Sequence, residues 1–344
     1  MTPAFEPRHI RDLFGTVEEA IPWRWHRMLP DGALAILVAF MKVGKSTLAY
    51  ELAVSVAKGQ PFLNLPTTQG NVLIIAAEEH HRDSVQRLRH FGATESDPIW
   101  VVSGPLPQAP LVLDPLRSFV KEHHIRFIII DTFASYFAGV LRKEDDNAEV
   151  STLLMPIVSL CRHLDVTILF THHERKSGGE DGRGIRGAGA IFALMDQALI
   201  LRKVDGSETR RMLEVEGRHK WDSPGTLVLD YADERYVSLG TPDDQTRAAQ
   251  QTKVLAVLPS TEPGFGVKET ARASGLGEAT VRRVLADLHS GRKAKRSGKG
   301  SRHDPFRYWQ ADSTASQGTT SSDNNGVASD HRSEGETADC IQAA

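Results

Sequence analysis

The segment from residue 39 to residue 47 limits what this chain can fold into more than any other part of the sequence. An apolar run, 33–38, precedes it and a helical pattern, 48–53, follows it. A strand, a loop and a helix in this order are typical of a phosphate-binding loop, whose backbone N–H groups meet phosphate at the positive end of the helix dipole. The segment reads Ala39-Phe40-Met41-Lys42-Val43-Gly44-Lys45-Ser46-Thr47.

Two side chains of this segment match the chemistry of a nucleoside triphosphate. Lys45 is placed to reach the β- and γ-phosphate oxygens, and Ser46 is placed to hold Mg²⁺. The pattern G-x-x-x-x-G-K-[ST] has glycine where Ala39 stands, so the entry turn must tolerate a Cβ atom. We therefore predict that ATP and Mg²⁺ bind at a loop made of Ala39, Lys42, Val43, Gly44, Lys45, Ser46 and Thr47.

Charge and cysteine content restrict the class of protein further. The formal net charge of -3 hides a strongly basic stretch between Arg282 and Arg307, which suggests a polyanionic partner for that stretch. The sequence has two cysteines, Cys161 and Cys340, which imply no disulfide framework, so we expect a reducing compartment. No apolar run approaches the roughly 18 residues of a membrane span. We expect a cytoplasmic protein without a membrane partner.

Short apolar runs alternate with amphipathic stretches along most of the chain. Val72–Ala77, Phe127–Ile130 and Val166–Phe170 are such runs, and this pattern is typical of a parallel sheet covered by helices on both faces. Closer runs after residue 197 indicate an antiparallel extension of the sheet. We therefore predict an α/β fold with a mainly parallel sheet, divided into an ATPase domain at 1–240, a small DNA-binding domain at 241–310 and a disordered tail at 311–344.

Carboxylates follow two of the predicted strands. Asp131 ends an apolar strand, as a residue of the Mg²⁺ shell opposite Ser46 would. Glu78 and Glu79 follow another strand, and a carboxylate at this edge of a parallel sheet is placed to deprotonate an attacking water. Glu79 also fits a second interpretation, because acids are favoured at the N-terminus of a helix.

Six motifs follow one another along the chain: Gly44-Lys45-Ser46-Thr47, Ala77-Glu78-Glu79, Arg87-Leu88-Arg89, Ile130-Asp131-Thr132, Asp146-Asn147-Ala148 and Phe170-Thr171-His172-His173-Glu174-Arg175-Lys176. In this order and spacing they resemble the RecA-like, RepA-type replicative helicase ATPases of plasmids and phages, from about Ile21 to Tyr231. The resemblance implies that Glu78 is the catalytic base, Asp131 the Mg²⁺-linked acid and His172 the residue that senses the γ-phosphate or couples it to DNA.

The two adjacent histidines allow other interpretations. A shared metal ion is disfavoured, because neighbouring residues of a strand point to opposite faces. A purely structural role remains open for either His172 or His173.

The family resemblance also implies a ring, which we expect to be a homo-hexamer around single-stranded DNA. A glycine-rich loop follows the histidines, and its cations Lys176, Arg183 and Arg186 are candidate DNA contacts, although an ordinary solvated loop is the alternative. Arg218, or secondarily Lys220, matches the finger that reaches a neighbour's γ-phosphate. A surface ion pair is the alternative for Arg218.

The region after residue 241 resembles a winged helix-turn-helix. Val281, Val284, Leu285 and Leu288 recur at helical spacing after a glycine-containing turn. In that arrangement a recognition helix faces the groove of duplex DNA and a basic wing follows the phosphates. A protein partner is the alternative. The candidate DNA contacts are Thr280, Arg282, Arg283, Lys293, Lys295 and Arg296.

Together the patterns predict an ATP-hydrolysing DNA helicase or motor of a mobile element. An ATP-switched DNA-binding regulator that oligomerises without unwinding is the second possibility. A small-molecule kinase is disfavoured, because no domain or lid for an acceptor substrate is evident in the sequence.

Overall fold

A computed structural model of the chain describes residues 7–15, 20–104, 109–173, 188–219 and 222–311. It divides into two compact units, Met1–Ala248 and Ala249–Ala344, whereas the sequence predicts a boundary at residue 240. The residues just after position 240 belong to the first unit, because the Gln245 side-chain amide donates to the Leu239 carbonyl and accepts from Arg210. The predicted tail lies, beyond Ala311, outside the described residues.

The first unit is built around one large sheet with helices on both faces. Its strands are β3 (Leu34–Ala39), β4 (Asn71–Ala76), β5 (Ile99–Ser103), β6 (Ile125–Asp131), β7 (Thr167–His173), β8 (Gln197–Lys203), β9 (Arg210–Gly217), β10 (Thr226–Ala232) and β11 (Arg235–Ser238), after a small hairpin of β1 (Trp23–Trp25) and β2 (Leu29–Pro30). The helices are α1 (Ile10–Phe14), α2 (Lys45–Lys58), α3 (His81–His90), α4 (Ala109–Glu122), α5 (Phe133–Tyr136), α6 (Asn147–Leu164) and α7 (Ala188–Leu194).

The strand order of the sheet is β11-β10-β9-β8-β3-β7-β6-β4-β5. Strands β8 to β5 in this order are parallel, and β9, β10 and β11 extend the sheet in antiparallel fashion. The predicted mainly parallel α/β fold is therefore confirmed. The sequence interpretation missed the strands β1, β2, β5 and β11 and the helices α1, α4, α5 and α7.

Two apolar cores cover the two faces of the sheet, and the alternation along β3 shows how they separate. Ala35, Leu37 and Ala39 pack in the core that contains α2, whereas Leu34 and Ile36 pack in the core that contains α6. Both sets are fully buried. A parallel sheet that is buried on both faces requires this near-continuous run of apolar residues.

The second unit contains three helices and a hairpin. Val281, Val284, Leu285 and Leu288 form its core with Tyr308 and other residues, as the helical spacing predicts. Within the described ranges of both units, no helix is long and apolar enough to cross a membrane. The elements of the second unit are the part of α8 (Pro242–Val257) from residue 249 onward, α9 (Val267–Ser274), α10 (Glu278–Ser290), β12 (Ala294–Ser297) and β13 (Arg307–Gln310).

Candidate functional site

The carboxyl ends of four neighbouring parallel strands bring the predicted nucleotide residues together. Ala39 of β3 is in register with His173 of β7, and Ala76 of β4 is in register with Asp131 of β6. Ligands of open parallel sheets bind at this edge. A cavity of about 290 Å³ lies there, lined by Lys42, Gly44, Lys45, Ser46, Thr47, Glu78, Glu79, Arg87, Asp131, Thr132 and His173.

The loop between β3 and α2 has its left-handed residues at Lys42 (φ 61°) and Gly44 (φ 107°). Ala39 is instead the last residue of β3 and is fully buried, so its Cβ atom sits in ordinary strand backbone. The missing first glycine is therefore no obstacle to the turn. Since α2 begins at Lys45, its first backbone N–H groups have no partner within the helix and are suited to bind phosphate.

Lys45 is held among the strand ends. Only 7% of the residue is exposed, and its Nζ atom donates to Nδ1 of His173 at 3.1 Å and to the Ala39 carbonyl at 3.4 Å. Because an ammonium group can only donate, Nδ1 of His173 is the acceptor in this pair. Burial lowers the pKa of Lys45, and the carboxylates of Asp131 and Glu78 oppose that shift.

The carboxylate of Asp131 lies at the bottom of the cavity. The residue is 5% exposed, and one of its oxygens accepts a hydrogen bond from the Thr171 hydroxyl. Ser46 lines the same cavity. The two side chains therefore offer a carboxylate and a hydroxyl, which are the oxygen ligands that Mg²⁺ prefers.

The two adjacent glutamates have different surroundings. Oε1 of Glu78 accepts a hydrogen bond from the Thr132 hydroxyl at 2.9 Å and another from the Ser135 hydroxyl of α5. The bond from Ser135, with help from Thr132, lowers the pKa of Glu78 against the opposing effect of burial. Glu78 is therefore a carboxylate at neutral pH, and it is oriented by two hydroxyl groups.

Glu79 instead binds side chains of α2 and α3. Its carboxylate accepts from Arg87 at 2.6 Å, from the Tyr50 hydroxyl at 3.2 Å and from the Ser84 hydroxyl at 3.4 Å. The Arg87 guanidinium also lies 4.9 Å from the centre of the Tyr50 ring. This geometry makes Glu79 a residue that orients Arg87, and Arg87 lines the cavity. The sequence interpretation gave Arg87 no role.

The structure separates the two histidines. His173 lines the cavity and contacts Lys45. His172 is 1% exposed, and its ring packs edge-on against Phe133 with 5.3 Å between ring centroids. The prediction that His172 meets the γ-phosphate therefore does not fit the geometry, because strand alternation turns its side chain to the other face of the sheet.

The phosphate-binding loop is supported from behind by an antiparallel strand that the sequence interpretation did not find. The Tyr236 hydroxyl of β11 donates to the carbonyl of Val43 at 2.9 Å and lies 3.3 Å from the carbonyl of Gly44. A Cβ atom at Gly44 would collide with this hydroxyl. Arg211 of β9 is also buried and lies 3.5 Å from the Val43 carbonyl. No local signal in the sequence connects residues so distant along the chain.

Arg218 lies at the other end of the sheet. Its guanidinium pairs with Asp196 at 3.2 Å, and Asp196 accepts a hydrogen bond from the backbone of Leu34, the first residue of β3. The phosphate-binding loop begins after the last residue of β3, about 20 Å away along a strand of six residues. Arg218 therefore cannot reach the cavity of its own chain.

Several predicted contacts fall elsewhere. Lys176, Arg183, Arg186 and Lys220 lie outside the described residues. In the second unit, Arg282 and Arg296 line one cleft between α10 and the hairpin, together with Lys268 and Arg307.

The remaining basic residues of the second unit do not all share that cleft. The guanidinium of Arg283 instead donates to the Gln250 side chain of α8 at 3.2 Å. Lys293 and Lys295 are exposed. Thr280 is half-buried near the start of α10.

A phosphate-binding loop at the carboxyl edge of a mainly parallel sheet defines the class of P-loop nucleotide-binding proteins. A family model, AAA_25, described as an AAA domain, matches residues 3–179. The chain therefore belongs to the family of AAA domains, which indicates a nucleotide-binding ATPase domain. A comparison with curated proteins gives no match.

The contact behind the loop predicts a measurable loss of nucleotide affinity. Tyr236→Phe should weaken ATP binding about five-fold, because the loop loses the donor that fixes two of its carbonyls. The matched control is Tyr231→Phe, since this ring stacks on Tyr236 at 4.8 Å but makes no bond to the loop among the described residues. Titration with fluorescent ATP measures both affinities. Equal dissociation constants for the two variants would contradict the assigned role of Tyr236.

Proposed function

We propose that this chain is an ATP-hydrolysing, RepA-like DNA helicase or motor ATPase that acts in the replication of a plasmid, a phage or another mobile element. One observation carries the ATPase part of the proposal: Lys45, Asp131 and Glu78 line a single cavity beside the phosphate-binding loop. Membership in the family of AAA domains also supports it. The basic second unit supports DNA as the partner.

In the proposed reaction, the carboxylate of Glu78 takes a proton from water as the water oxygen attacks the γ-phosphorus of ATP. The bond between that phosphorus and the β,γ-bridging oxygen breaks, and ADP leaves with the electron pair. The hydroxyls of Thr132 and Ser135 orient that carboxylate. Lys45 and the first N–H groups of α2 stabilise negative charge on the transferred phosphoryl group. Ser46 and Asp131 would hold Mg²⁺, which neutralises charge on the β- and γ-phosphates when bound.

We assign the strand-end sensor to His173 rather than to His172. Its Nδ1 atom accepts a hydrogen bond from Lys45, and because an ammonium has three donors, a γ-phosphate bound to Lys45 would share that ammonium with His173. The next residue begins the segment that the sequence predicts to contact DNA through Lys176, Arg183 and Arg186. His173 is therefore placed to link the nucleotide state to that segment.

Arg218 is proposed to act on the nucleotide of a neighbouring subunit. Its own cavity is out of reach, and 56% of its side chain is exposed beside Asp196. A guanidinium supplied in this way stabilises the charge of the transition state and accelerates phosphoryl transfer roughly 10³–10⁵-fold. A ring of identical subunits, such as a hexamer, gives every site such a neighbour.

A subunit-mixing experiment tests this assignment. Arg218→Ala and Glu78→Gln should each bind ATP and hydrolyse it poorly, by a factor of roughly 10² or more, because one lacks the finger and the other lacks the base. Mixed rings should recover up to about a quarter of normal turnover, since one interface in four then combines an intact base with an intact finger. Phosphate release measures the recovery.

Arg162→Ala is the matched control for that experiment. Its guanidinium lies 3.9 Å from the same Asp196 carboxylate and is similarly exposed. This variant should retain normal turnover. If cross-linking shows mixed rings without recovery, or if Arg218→Ala and Arg162→Ala behave alike, Arg218 forms only a surface ion pair.

The second unit is proposed to be a winged helix-turn-helix that binds duplex DNA. Its element order is three helices followed by a two-stranded hairpin, with α10 as the recognition helix. Arg282 on α10 and Arg296 on the hairpin line the same cleft. A DNA backbone that enters this cleft would therefore meet both arginines, beside the carboxylates of Glu269 and Glu278.

The salt dependence of DNA binding tests the cleft. Each phosphate contact contributes about −0.9 to the slope of log affinity against log salt, so Arg282→Gln combined with Arg296→Gln should make the slope shallower by about 2. Arg283→Gln is the control, because this neighbouring arginine binds Gln250 instead. Fluorescence anisotropy with a duplex at several salt concentrations gives the slopes. Unchanged slopes in the double variant would favour a protein partner for this unit.

Strand displacement on a forked duplex separates a helicase from an ATP-switched DNA-binding regulator. A helicase displaces the strand only while it hydrolyses ATP. A regulator changes its DNA affinity with ATP and displaces nothing.

A further inference from the structure

Arg87 of α3 lines the nucleotide cavity, yet the proposed reaction gives it no task. Its side chain is 30% exposed and can therefore meet a ligand, whereas Tyr50 and Ser84 beside it are fully buried. A guanidinium at a cavity that binds a triphosphate is a candidate phosphate contact, because its planar fork matches the geometry of phosphate oxygens.

The guanidinium of Arg87 is held on two sides. Its Nη1 atom donates to Oε1 of Glu79 at 2.6 Å, and its Cζ atom lies 4.9 Å from the centre of the Tyr50 ring. The carboxylate of Glu79 is itself fixed by the hydroxyls of Tyr50 and Ser84. An arginine has five N–H donors, and Glu79 is the hydrogen-bond partner of Arg87 in the described part of the chain, so other donors are available to a ligand.

These contacts hold Arg87 at the γ-phosphate end of the cavity. Glu79 directly follows Glu78, the proposed base, and the base acts on the water that attacks the γ-phosphate. Tyr50 lies one turn after Ser46 on the same face of α2, and Ser46 is a proposed ligand of Mg²⁺. The guanidinium is therefore close to the groups that surround the γ-phosphate in the proposed reaction.

The charges around Arg87 agree with this position. Burial opposes the charged form, but the hydrogen bond and the charge of Glu79 raise the pKa of Arg87, and the charge of Asp131 adds to that effect. The guanidinium thus stays protonated, and it lies within electrostatic reach of the second proposed Mg²⁺ ligand.

We propose that Arg87 is a further catalytic residue, which donates a hydrogen bond to a γ-phosphate oxygen of ATP from within the same subunit. It moves no proton. Its fixed charge stabilises the negative charge on the transferred phosphoryl group while the bond to ADP breaks. Glu79 and Tyr50 are then positioning residues, because they hold the guanidinium in place. This inference rests on the proposed function, since it needs ATP in the cavity.

An ion pair that only joins α3 to the loop after β4 is the alternative role for Arg87. Such a pair would support the fold equally with ADP or with ATP in the cavity. A contact to the γ-phosphate instead contributes to the binding of ATP and not to the binding of ADP. The ratio of the two affinities therefore separates the two roles.

Displacement of fluorescent ADP from the full chain, with Mg²⁺ present, measures the affinities of ADP and of the β,γ-imido analogue of ATP, which is not hydrolysed. Arg87→Gln should weaken binding of the analogue about ten-fold or more, as loss of a hydrogen bond to a charged group does, and should leave the affinity for ADP unchanged. Turnover of ATP should fall roughly 10²-fold. Arg89→Gln is the matched control and should change none of these values, because this arginine of the same helix lines a groove toward β5 instead.

Arg87→Gln leaves the Glu79 carboxylate without its cation, so a double variant that also carries Glu79→Gln guards against a folding defect. The double variant should show the same loss for the analogue and bind ADP normally. If ADP binds but the ratio of the two affinities is unchanged in both variants, or if Arg89→Gln shows the same loss, this inference is overturned while the proposed function stands. If the unsubstituted chain binds neither nucleotide, the proposed function is overturned as well.

Discussion

The parallel pairing of β3, β7, β6 and β4 is the constraint on which the rest of the site depends. Parallel strands place all their carboxyl ends at one edge, so residues more than a hundred positions apart meet around Lys45. The strands are buried on both faces, and their register is fixed because a slip of one residue would turn every core side chain to the wrong face. The same strand register therefore buries the sheet and brings the residues of the site together.

In two pairs of neighbouring residues, the two side chains have different surroundings. After the end of β4, Glu78 accepts hydroxyl hydrogen bonds, whereas Glu79 is bound by Arg87 and Tyr50, and both residues line the cavity. On β7, the alternation of side chains turns His173 toward Lys45 and His172 toward Phe133. Adjacent residues of the same type thus acquire different chemistry from the partners that each side chain contacts.

Much of the fold follows from the sequence, because periodicity and loop chemistry are local signals. The apolar runs around Phe127 and Val166 and the segment around Gly44 suffice to predict a mainly parallel sheet with a phosphate-binding loop, and the structure confirms that fold. The support behind the loop is different. Tyr236 reaches Val43 across 193 positions of the chain, and only the antiparallel extension of the sheet creates that contact.

The sequence also does not show which of the two histidines lines the nucleotide cavity, for a different reason. Strand alternation is visible in the sequence and excludes a shared metal site, but it does not say which face of β7 carries α2. That choice comes from packing, since Leu169 and α2 share one core and Phe170 belongs to the other. Similarly, a run of basic residues in the sequence does not show that Arg282 lines the cleft while Arg283 does not, because the partner of Arg283 lies on another helix.

The central claim is that Glu78, and not Glu79, is the base that activates water. The most direct measurement compares Glu78→Gln with Glu79→Gln for ATP binding and for phosphate release. Glu78→Gln should bind ATP normally and lose hydrolysis by a factor of roughly 10²–10⁴, the usual contribution of a general base, because an amide cannot accept the proton. The loss of hydrolysis in Glu79→Gln should be smaller, since this change only weakens the ion pair that orients Arg87. A larger loss in Glu79→Gln, with hydrolysis retained in Glu78→Gln, would contradict the account.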